Sequence, residues 1–324
     1  MNDAQRSGIG RLTGLVLAAA ALAGCAAGPD FRPPDAPAIG AYTAEPAPTR
    51  TASADTRLGG AQRVVSGAPV AEQWWRALGS PRLDALIDDA LQASPTLAAA
   101  QATLRQASET LAARAGATAW PQASAELASQ RQRNNGAALG QPGSGRTFDL
   151  YGASVGIVYD PDVAGGNRRT LEALAAQVDH QRFQLEAARL ALAGNLAATA
   201  IAQARLAAQL NATEALVEAQ REQLEITRTR VLLGAASHDE YLALQTQYEQ
   251  ARAAIPALRK QLEQTAHLLA VLAGQEPGRP SLPRFALDDF TLPAELPLRV
   301  PSELARRRPD IRASEALLHA ANAQ

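Results

Sequence analysis

Apolar residues recur at alternating intervals of three and four along most of this chain, which is the spacing of one face of an α-helix. The first stripe runs from Leu83 to Leu111 and is interrupted only at Ser94-Pro95. Serine is a preferred N-cap, and proline is favoured at the first position of a helix. The pattern therefore predicts a short helix over about 82–92 and a longer one over about 95–118.

A much longer helical pattern occupies the middle of the chain. Apolar or threonine positions seven apart run from Leu171 to Leu206, and the stripe continues at intervals of three and four to Thr227. No proline lies between Asn167 and Leu233. At 1.5 Å per residue, a helix of roughly 66 residues would span about 100 Å.

A second stripe follows the break at residues 234–237 and alternates at three and four from Tyr241 to Leu272. This spacing predicts an antiparallel helical hairpin with its tip at 233–239. A repeat of 3.5 residues imposes a left-handed supercoil on such helices. Pro256 lies inside the second helix, where we expect a local kink.

Between the helical stretches, residues 120–130 and 151–159 alternate with a period of two, and a polar loop over 134–146 separates them. Two strands of about 11–13 residues with one apolar face match the strands of a transmembrane barrel. A soluble hairpin packed on a core remains the alternative. A membrane barrel must close on itself, so two strands would need other strands or other subunits.

Residues 301–324 repeat the stretch 87–110 at an offset of 214 residues. The matched pairs are Pro95 with Pro309, Leu97 with Ile311, Ala99 with Ala313, Ala102 with Ala316, and Ala107 with Ala321. The repeat predicts that a second structural unit begins here. We expect the chain to be a C-terminally truncated piece of a longer protein, which would not form a conducting trimer alone.

The N-terminal residues have the pattern of a secretory signal. Arg6 and Arg11 precede a short apolar run over 12–23, which is too short to span a bilayer as a helix. Cys25 follows Leu-Ala-Gly, which resembles the bacterial lipobox, in which the cysteine carries a lipid. An ordinary signal peptide with an incidental cysteine is the alternative. The residue after Cys25 is Ala26 rather than aspartate. By resemblance to sorted lipoproteins, this favours the outer membrane as the destination of the protein.

The segment after the cysteine, over 26–70, has no helical or strand period and is predicted to be an extended arm. Trp74 and Trp75 then open the folded part, where core packing is their preferred interpretation. The proline-rich stretch over 274–298 is predicted to be irregular, and we expect helix to resume at Pro301.

Composition and charge exclude several functional classes. The net charge of -1 provides no basic surface for nucleic acid. With a single cysteine and four histidines that lack metal-ligand spacing, the usual thiolate metal sites are excluded. No glycine-rich phosphate loop or nucleophile elbow is present. We expect no enzymatic activity and no cofactor other than a lipid on Cys25.

The residues between the second strand and the long helix are predicted to be structural. Gly165 and Gly166 mark a turn, with Asn167 as N-cap of the helix. Asp160 and Asp162 are predicted to stabilise this turn and helix start rather than to form a catalytic carboxylate pair.

The order of several motifs resembles the TolC-like outer membrane factor family, in its lipoprotein branch. The resemblance covers nearly the whole chain. The matching motifs are Gly28-Pro29-Asp30-Phe31 with Pro33 after Cys25, the strand exit from Tyr159 to Gly165, the tip from Gly234 to Leu242, the helix end from Leu269 to Gly274 with Pro277-Gly278, and Arg307-Arg308-Pro309-Asp310-Ile311-Arg312 with Ala320-Ala321-Asn322-Ala323.

The resemblance implies a mainly α fold with a membrane β-hairpin. Very long antiparallel coiled-coil helices and transmembrane strands would contribute to a trimeric barrel and tunnel. The implied segments are a lipoprotein signal peptide over 1–24, a lipid-anchored arm over 25–73, the first helices of the first repeat over 74–119, the transmembrane hairpin over 120–161, the periplasmic coiled-coil hairpin over 162–274, a linker over 275–300, and the truncated second repeat over 301–324.

The function that the resemblance implies is a passive duct in the outer membrane. In this interpretation the chain forms a homotrimer and contacts outer membrane lipid. It would act with a periplasmic adaptor and an inner-membrane efflux transporter, which supplies the energy. The exported substrate is left open.

The resemblance also assigns roles to residues at the tip of the helical hairpin. Leu233, Gly234, Ala235 and Ser237 would contact the adaptor. Asp239 and Glu240 would lie near the periplasmic aperture, where a ring of three carboxylates favours cations. The equally weighted alternative is that these two carboxylates serve solely to stabilise the N-terminus of the following helix. Arg308, Asp310 and Arg312 are predicted to form structural ion pairs.

Two other functions remain open at this point. A periplasmic adaptor lipoprotein also has a signal and a helical hairpin, but would need sandwich-like β domains beside the hairpin. A coiled-coil scaffold of the envelope is the second alternative. The alternating strands and the repeat after Pro301 argue against the scaffold.

Overall fold

The computed structural model describes residues 28–35, 38, 41, 44–45, 48–134, 140, 145–277, 282–298, 302 and 306–324. The signal peptide, Cys25 and Pro301 therefore lie outside the described residues. The chain divides into two compact units. The first unit contains the described residues up to Pro33, Leu104–His180 and Ser314–Gln324. The second contains Pro34–Thr103 and Gln181–Ala313.

Five helices account for most of the described chain: α1 (Pro81–Ala93), α2 (Pro95–Ala119), α3 (Gly166–Leu232), α4 (His238–Leu272) and α5 (Pro309–Asn322). A short 3-10 helix over Trp74–Leu78 precedes α1. The predicted bounds of α1 and α2 are confirmed to within a residue or two. Ser94 accepts a hydrogen bond from the Leu97 amide (3.4 Å), as expected of an N-cap.

In the second unit, α3 and α4 form the predicted antiparallel hairpin. Arg259 of α4 pairs with Glu214 of α3 at 2.7 Å. Nearer the tip, Arg230 lies opposite Glu240. Every position of the α4 stripe from Tyr241 to Leu272 is at least partly shielded, whereas most positions between them are exposed. Helix α4 continues through Pro256 without a break.

The core of the second unit is built on alanine. Helix α3 contributes Ala193, Ala197, Ala200 and Ala204 together with Leu196, all nearly inaccessible to solvent. A small side chain lets neighbouring elements approach the helix backbone closely, and large side chains from those elements then fill the space. These large side chains are Trp75, Leu83, Leu86, Ile87, Leu269, Phe285 and Phe290. The packing role of Trp75 is confirmed.

A parallel pair of short strands, β1 (Arg63–Ser66) and β4 (Glu295–Leu298), contradicts two predictions. Both strands fall in segments predicted to lack regular structure. Arg63 also pairs with Glu295, and Gln62 donates to the carbonyl of Pro293 at 2.8 Å. A strand of four residues is too short to show a period of two in the sequence. Its partner lies 232 positions away, so the pairing depends on a distant segment that no local pattern indicates.

The first unit contains the hairpin of β2 (Gln122–Asn134) and β3 (Arg146–Val158). The two strands pair in antiparallel register along 13 residues each, from Gln122 opposite Val158 to Asn134 opposite Arg146. Strand β3 begins five residues before the predicted start at Tyr151. Among the described residues, no helix combines the length and apolar character needed to cross a membrane.

The start of α3 is capped by an aspartate rather than by Asn167, so that prediction is wrong. Asp162 accepts hydrogen bonds from the amides of Asn167 and Arg168, both at 2.8 Å. These bonds, first that from Asn167, lower the pKa of the Asp162 carboxyl below its ordinary value. Asp160 accepts from the Asp162 amide at 2.9 Å, which confirms that the two aspartates stabilise the turn.

Candidate functional site at the helical tip

The tip loop, defined as residues 233–237, joins α3 to α4. Helix α3 ends in a Schellman motif, in which the residue after the last turn adopts left-handed backbone angles. Gly234 has this conformation, with φ of 72°. Its amide donates to the carbonyl of Val231 at 3.0 Å, and the amide of Ala235 donates to that of Arg230 at 2.8 Å. A side chain at position 234 would strain this backbone.

The other side of the loop is closed by the cap of α4. Ser237 has extended backbone angles, and its hydroxyl accepts a hydrogen bond from the Glu240 amide at 3.1 Å. Asp239 and Glu240 occupy the first turn of α4, where the helix dipole favours negative charge. The short loop is therefore fixed at both ends by helix-terminal hydrogen bonds.

Arg230 joins the two sides of the loop, and the sequence analysis did not identify it. One guanidinium nitrogen donates to the carbonyl of Ala235 at 3.3 Å. Another lies 3.9 Å from the carboxylate of Glu240. A basic residue in the last turn of a helix interacts favourably with the helix dipole, which is the signal that could have singled it out.

The tip presents an exposed apolar surface beside small residues. Leu232 and Leu233 are 80% and 77% exposed. Gly234 and Ala235 add no bulk next to them, so another helix could approach the loop backbone closely. On the α4 side, the His238 ring stacks on Tyr241 with centroids 6.0 Å apart.

The predicted tip residues therefore lie together, within eight consecutive positions, and all are exposed. The structure assigns Ser237 a capping role in addition to any contact role. Glu240 has a partner in Arg230, and a ring of carboxylates from three copies stays a prediction. The predicted lipid site, Cys25, lies outside the described residues. Among the residues that the structure describes, no cluster of metal-ligating side chains is present.

A second surface that suggests function is one face of the β2–β3 hairpin. Apolar side chains from both strands share this face and are exposed. Leu127 is 88% and Val155 is 79% exposed. Paired positions place Ala125 opposite Val155 and Ala123 opposite Ile157. A continuous exposed apolar face of this kind is typical of a surface that contacts another protein or a membrane.

Comparisons with known proteins find relatives among outer membrane efflux proteins. The model of the outer membrane efflux protein family matches residues 86–275. The pyoverdine export outer membrane protein OpmQ of Pseudomonas putida is 31% identical over 256 residues, covering 78% of this chain and 54% of that protein. The probable efflux pump outer membrane protein TtgC of Pseudomonas putida is 29% identical over 315 residues, covering 96% of this chain and 62% of that protein.

The fold matches solved outer membrane channels. The structure of the outer-membrane channel OprN superposes with a TM-score of 0.74 at 25% identity, covering 92% of this chain and 63% of that chain. The chain thus spans between about half and two thirds of the length of these relatives. The chain belongs to the outer membrane efflux protein family.

Proposed function

We propose that this chain contributes to a passive efflux duct of the outer membrane. Three copies would assemble, with the β2–β3 hairpin in a shared transmembrane barrel and the α3–α4 hairpin in a periplasmic tunnel. Relatives named as pyoverdine export and efflux pump outer membrane proteins support this function and an outer membrane location. The membership in a family of transport ducts also supports the expectation that the chain is not an enzyme.

The observation that carries this proposal is the exposed apolar face of the β2–β3 hairpin. At roughly 25 cal/mol per Å² of apolar surface, leaving this face in water is unfavourable. Lipid would cover it. The backbone edges of the two strands still need partners in the bilayer, and further strands of the assembled barrel would supply them.

The tip supports the rest of the proposal. Exposed leucines beside a glycine and an alanine form a surface on which the helices of a periplasmic adaptor could pack closely. An inner-membrane transporter would then drive substrates into the tunnel.

The alternative of a periplasmic adaptor lipoprotein requires a β-sandwich next to the helical hairpin. The two sheets found among the described residues have two strands each. A sandwich needs two packed sheets with more strands than these. The efflux duct is therefore favoured over the adaptor.

A fluorescence experiment tests the membrane role of the hairpin. Val155 and Ser154 are neighbours whose side chains point to opposite faces of β3. In a Cys25→Ala background, Val155→Cys and Ser154→Cys each provide a single thiol for an environment-sensitive label. In proteoliposomes, we expect bromine-labelled acyl chains to quench the label at position 155, and aqueous iodide to quench it at position 154.

Equal iodide quenching at both positions would show that lipid does not cover the apolar face and would contradict the proposal.

The adaptor contact is tested by a photoreactive amino acid at Leu233, with Leu216 as control. Leu216 is exposed on the same helix, away from the tip. We expect a cross-link to a periplasmic helical hairpin protein from position 233 only, and equal cross-linking from both positions would argue against a specific tip contact.

A further inference from the structure

The first described segment of the chain, Gly28–Phe31, is held by side chains of α3 and α5 within the first unit. Arg169 of α3 donates to the carbonyl of Gly28 at 2.8 Å and lies 3.3 Å from the carboxylate of Asp30. Phe31 stacks on the ring of His319 of α5, with centroids 4.4 Å apart and planes 13° from parallel. The segment is therefore held at two successive points, once by charge and once by an aromatic ring.

The groups that hold the segment are connected to one another through Glu172. Its carboxylate lies 2.9 Å from Nε2 of His319 and accepts from Arg169 at 2.8 Å. The side chain of Arg169 is only 11% exposed. The bond from His319, followed by that from Arg169, lowers the pKa of the Glu172 carboxyl. Arg169 is held in place by Glu172 on its own helix and therefore presents its remaining donors in a fixed direction.

The surface beside these contacts is concave. A groove of about 450 Å³ beside these contacts is lined by Gly28, by residues of the first turns of α3 and by the last residues of the chain. Each exposed ion pair contributes little alone, but a network with a shared, nearly buried arginine and a stacked ring orders its members more firmly.

We propose that Arg169, Glu172 and His319 form a docking site for the start of the arm, which fixes Gly28–Phe31 beside the first turn of α3. Only two residues separate Cys25 from Gly28, so a lipid on Cys25 would be tethered within about 10 Å of this point. Because α3 begins directly after the exit of β3, the docking site would set the level at which the lipid enters the membrane. This consequence rests on the proposed membrane function, whereas the docking itself does not.

A spin-label experiment tests the docking without lipid, membrane or transport. Arg32 follows Phe31 and is exposed. In the 324-residue chain in detergent, with Cys25→Ser, a nitroxide at Arg32→Cys should give an immobilised spectrum. We expect Arg169→Gln and His319→Ala to abolish the immobilised component. The matched controls Arg168→Gln and His267→Ala should leave it unchanged, because neither side chain belongs to the docking site.

Phe31→Ala provides a variant that leaves every side chain of the helices in place. It should mobilise the label while the helical circular dichroism stays at the parent value. His319→Phe keeps the stacking but loses the bond to Glu172, and we expect it to retain part of the immobilised component. A mobile label in the parent, or an immobilised one in both Arg169→Gln and Phe31→Ala, would overturn the proposal.

Discussion

The two copies of the internal repeat begin in the same way but bury opposite faces. Helix α2 begins at Pro95 and α5 at Pro309, which are 214 positions apart, as the repeat requires. In α2, Leu97 is 2% exposed, whereas its counterpart in α5, Ile311, is 39% exposed. Conversely, Ala313 is buried and its counterpart Ala99 is exposed.

The difference extends along both helices. Helix α2 shields Leu97, Gln101, Leu104, Ser108 and Leu111, while α5 buries Ala313, Ala316 and Ala320. Residues two positions apart lie about 200° apart around a helix, so these are opposite sides. A duplicated sequence thus preserves where a helix begins, but the neighbours of each copy decide which side is buried.

The sharpest test of this difference is to shorten the matched large side chains. Leu97→Ala removes a fully buried side chain and should lower the free energy of unfolding by about 2–5 kcal/mol. Ile311→Ala changes a residue that is 39% exposed and should cost less, about 1 kcal/mol. Urea unfolding followed by helical circular dichroism measures both. Equal losses would show that the two copies pack through the same face.

The reverse substitution should give the opposite order. Ala313→Leu adds volume to a packed face and should cost about 1–3 kcal/mol. Ala99→Leu adds the same volume to an exposed face, where leucine is also a good helix former, and should be close to neutral. Thermal unfolding of the two variants compares them directly, and a destabilised Ala99→Leu would contradict the assignment of faces.

A smaller effect is expected from the caps of the two helices. Ser94 caps α2, and the equivalent position before α5 is Arg308. Ser94→Ala should cost about 0.5–2 kcal/mol, because the Leu97 amide loses its acceptor. Ser94→Thr keeps the hydroxyl and is the matched control, which should retain most of the stability in the same unfolding assay. A loss with Ser94→Thr as large as with alanine would assign the effect to packing.

The comparison also shows what the sequence could predict. Long periodic elements were predicted closely, because their spacing alone specifies them: the helix over about 95–118 is Pro95–Ala119, and the hairpin tip lies at 233–237. The buried face of α5 was not predictable in this way. Its apolar leucines and isoleucine are exposed, and its alanines are buried, so the usual association of size with burial fails there.

The same distinction, between a local sequence pattern and contacts made only in the folded chain, applies to the candidate sites. The tip residues were named because glycine, serine and acidic residues occur at fixed offsets around a helix break. Arg230 is missed although a basic residue in the last turn of a helix is a local signal. The docking site for Gly28–Phe31 is missed because it joins residues that only the folded chain brings together. His319 and Phe31, for example, are 288 positions apart, and no local pattern connects them.

The smallest expected effect concerns the ion pair at the start of α5, which the first copy lacks. Arg308 donates to both carboxylate oxygens of Asp310, at 3.0 and 2.6 Å, which confirms the predicted ion pair for these two residues. The guanidinium of Arg312 lies over the ring of Phe183, 4.1 Å from its centroid. Hydrogen bonding from Arg308 lowers the pKa of Asp310. A carboxyl whose pKa is lower in the folded state stabilises the fold above its unfolded pKa, about 3.9, and this contribution is lost as the pH falls through the folded pKa.

Asp310→Asn should therefore narrow the difference in stability between pH 6 and pH 3, whereas Thr96→Asn, at the equivalent position of the first copy, should leave it unchanged. The effect should be slight, because both partners are exposed and water and salt screen the pair. Urea unfolding at the two pH values measures it, and 1 M salt should abolish most of it. An equal response from Thr96→Asn would mean that the pH dependence arises outside the second copy, and that the two helix starts differ in face but not in charge.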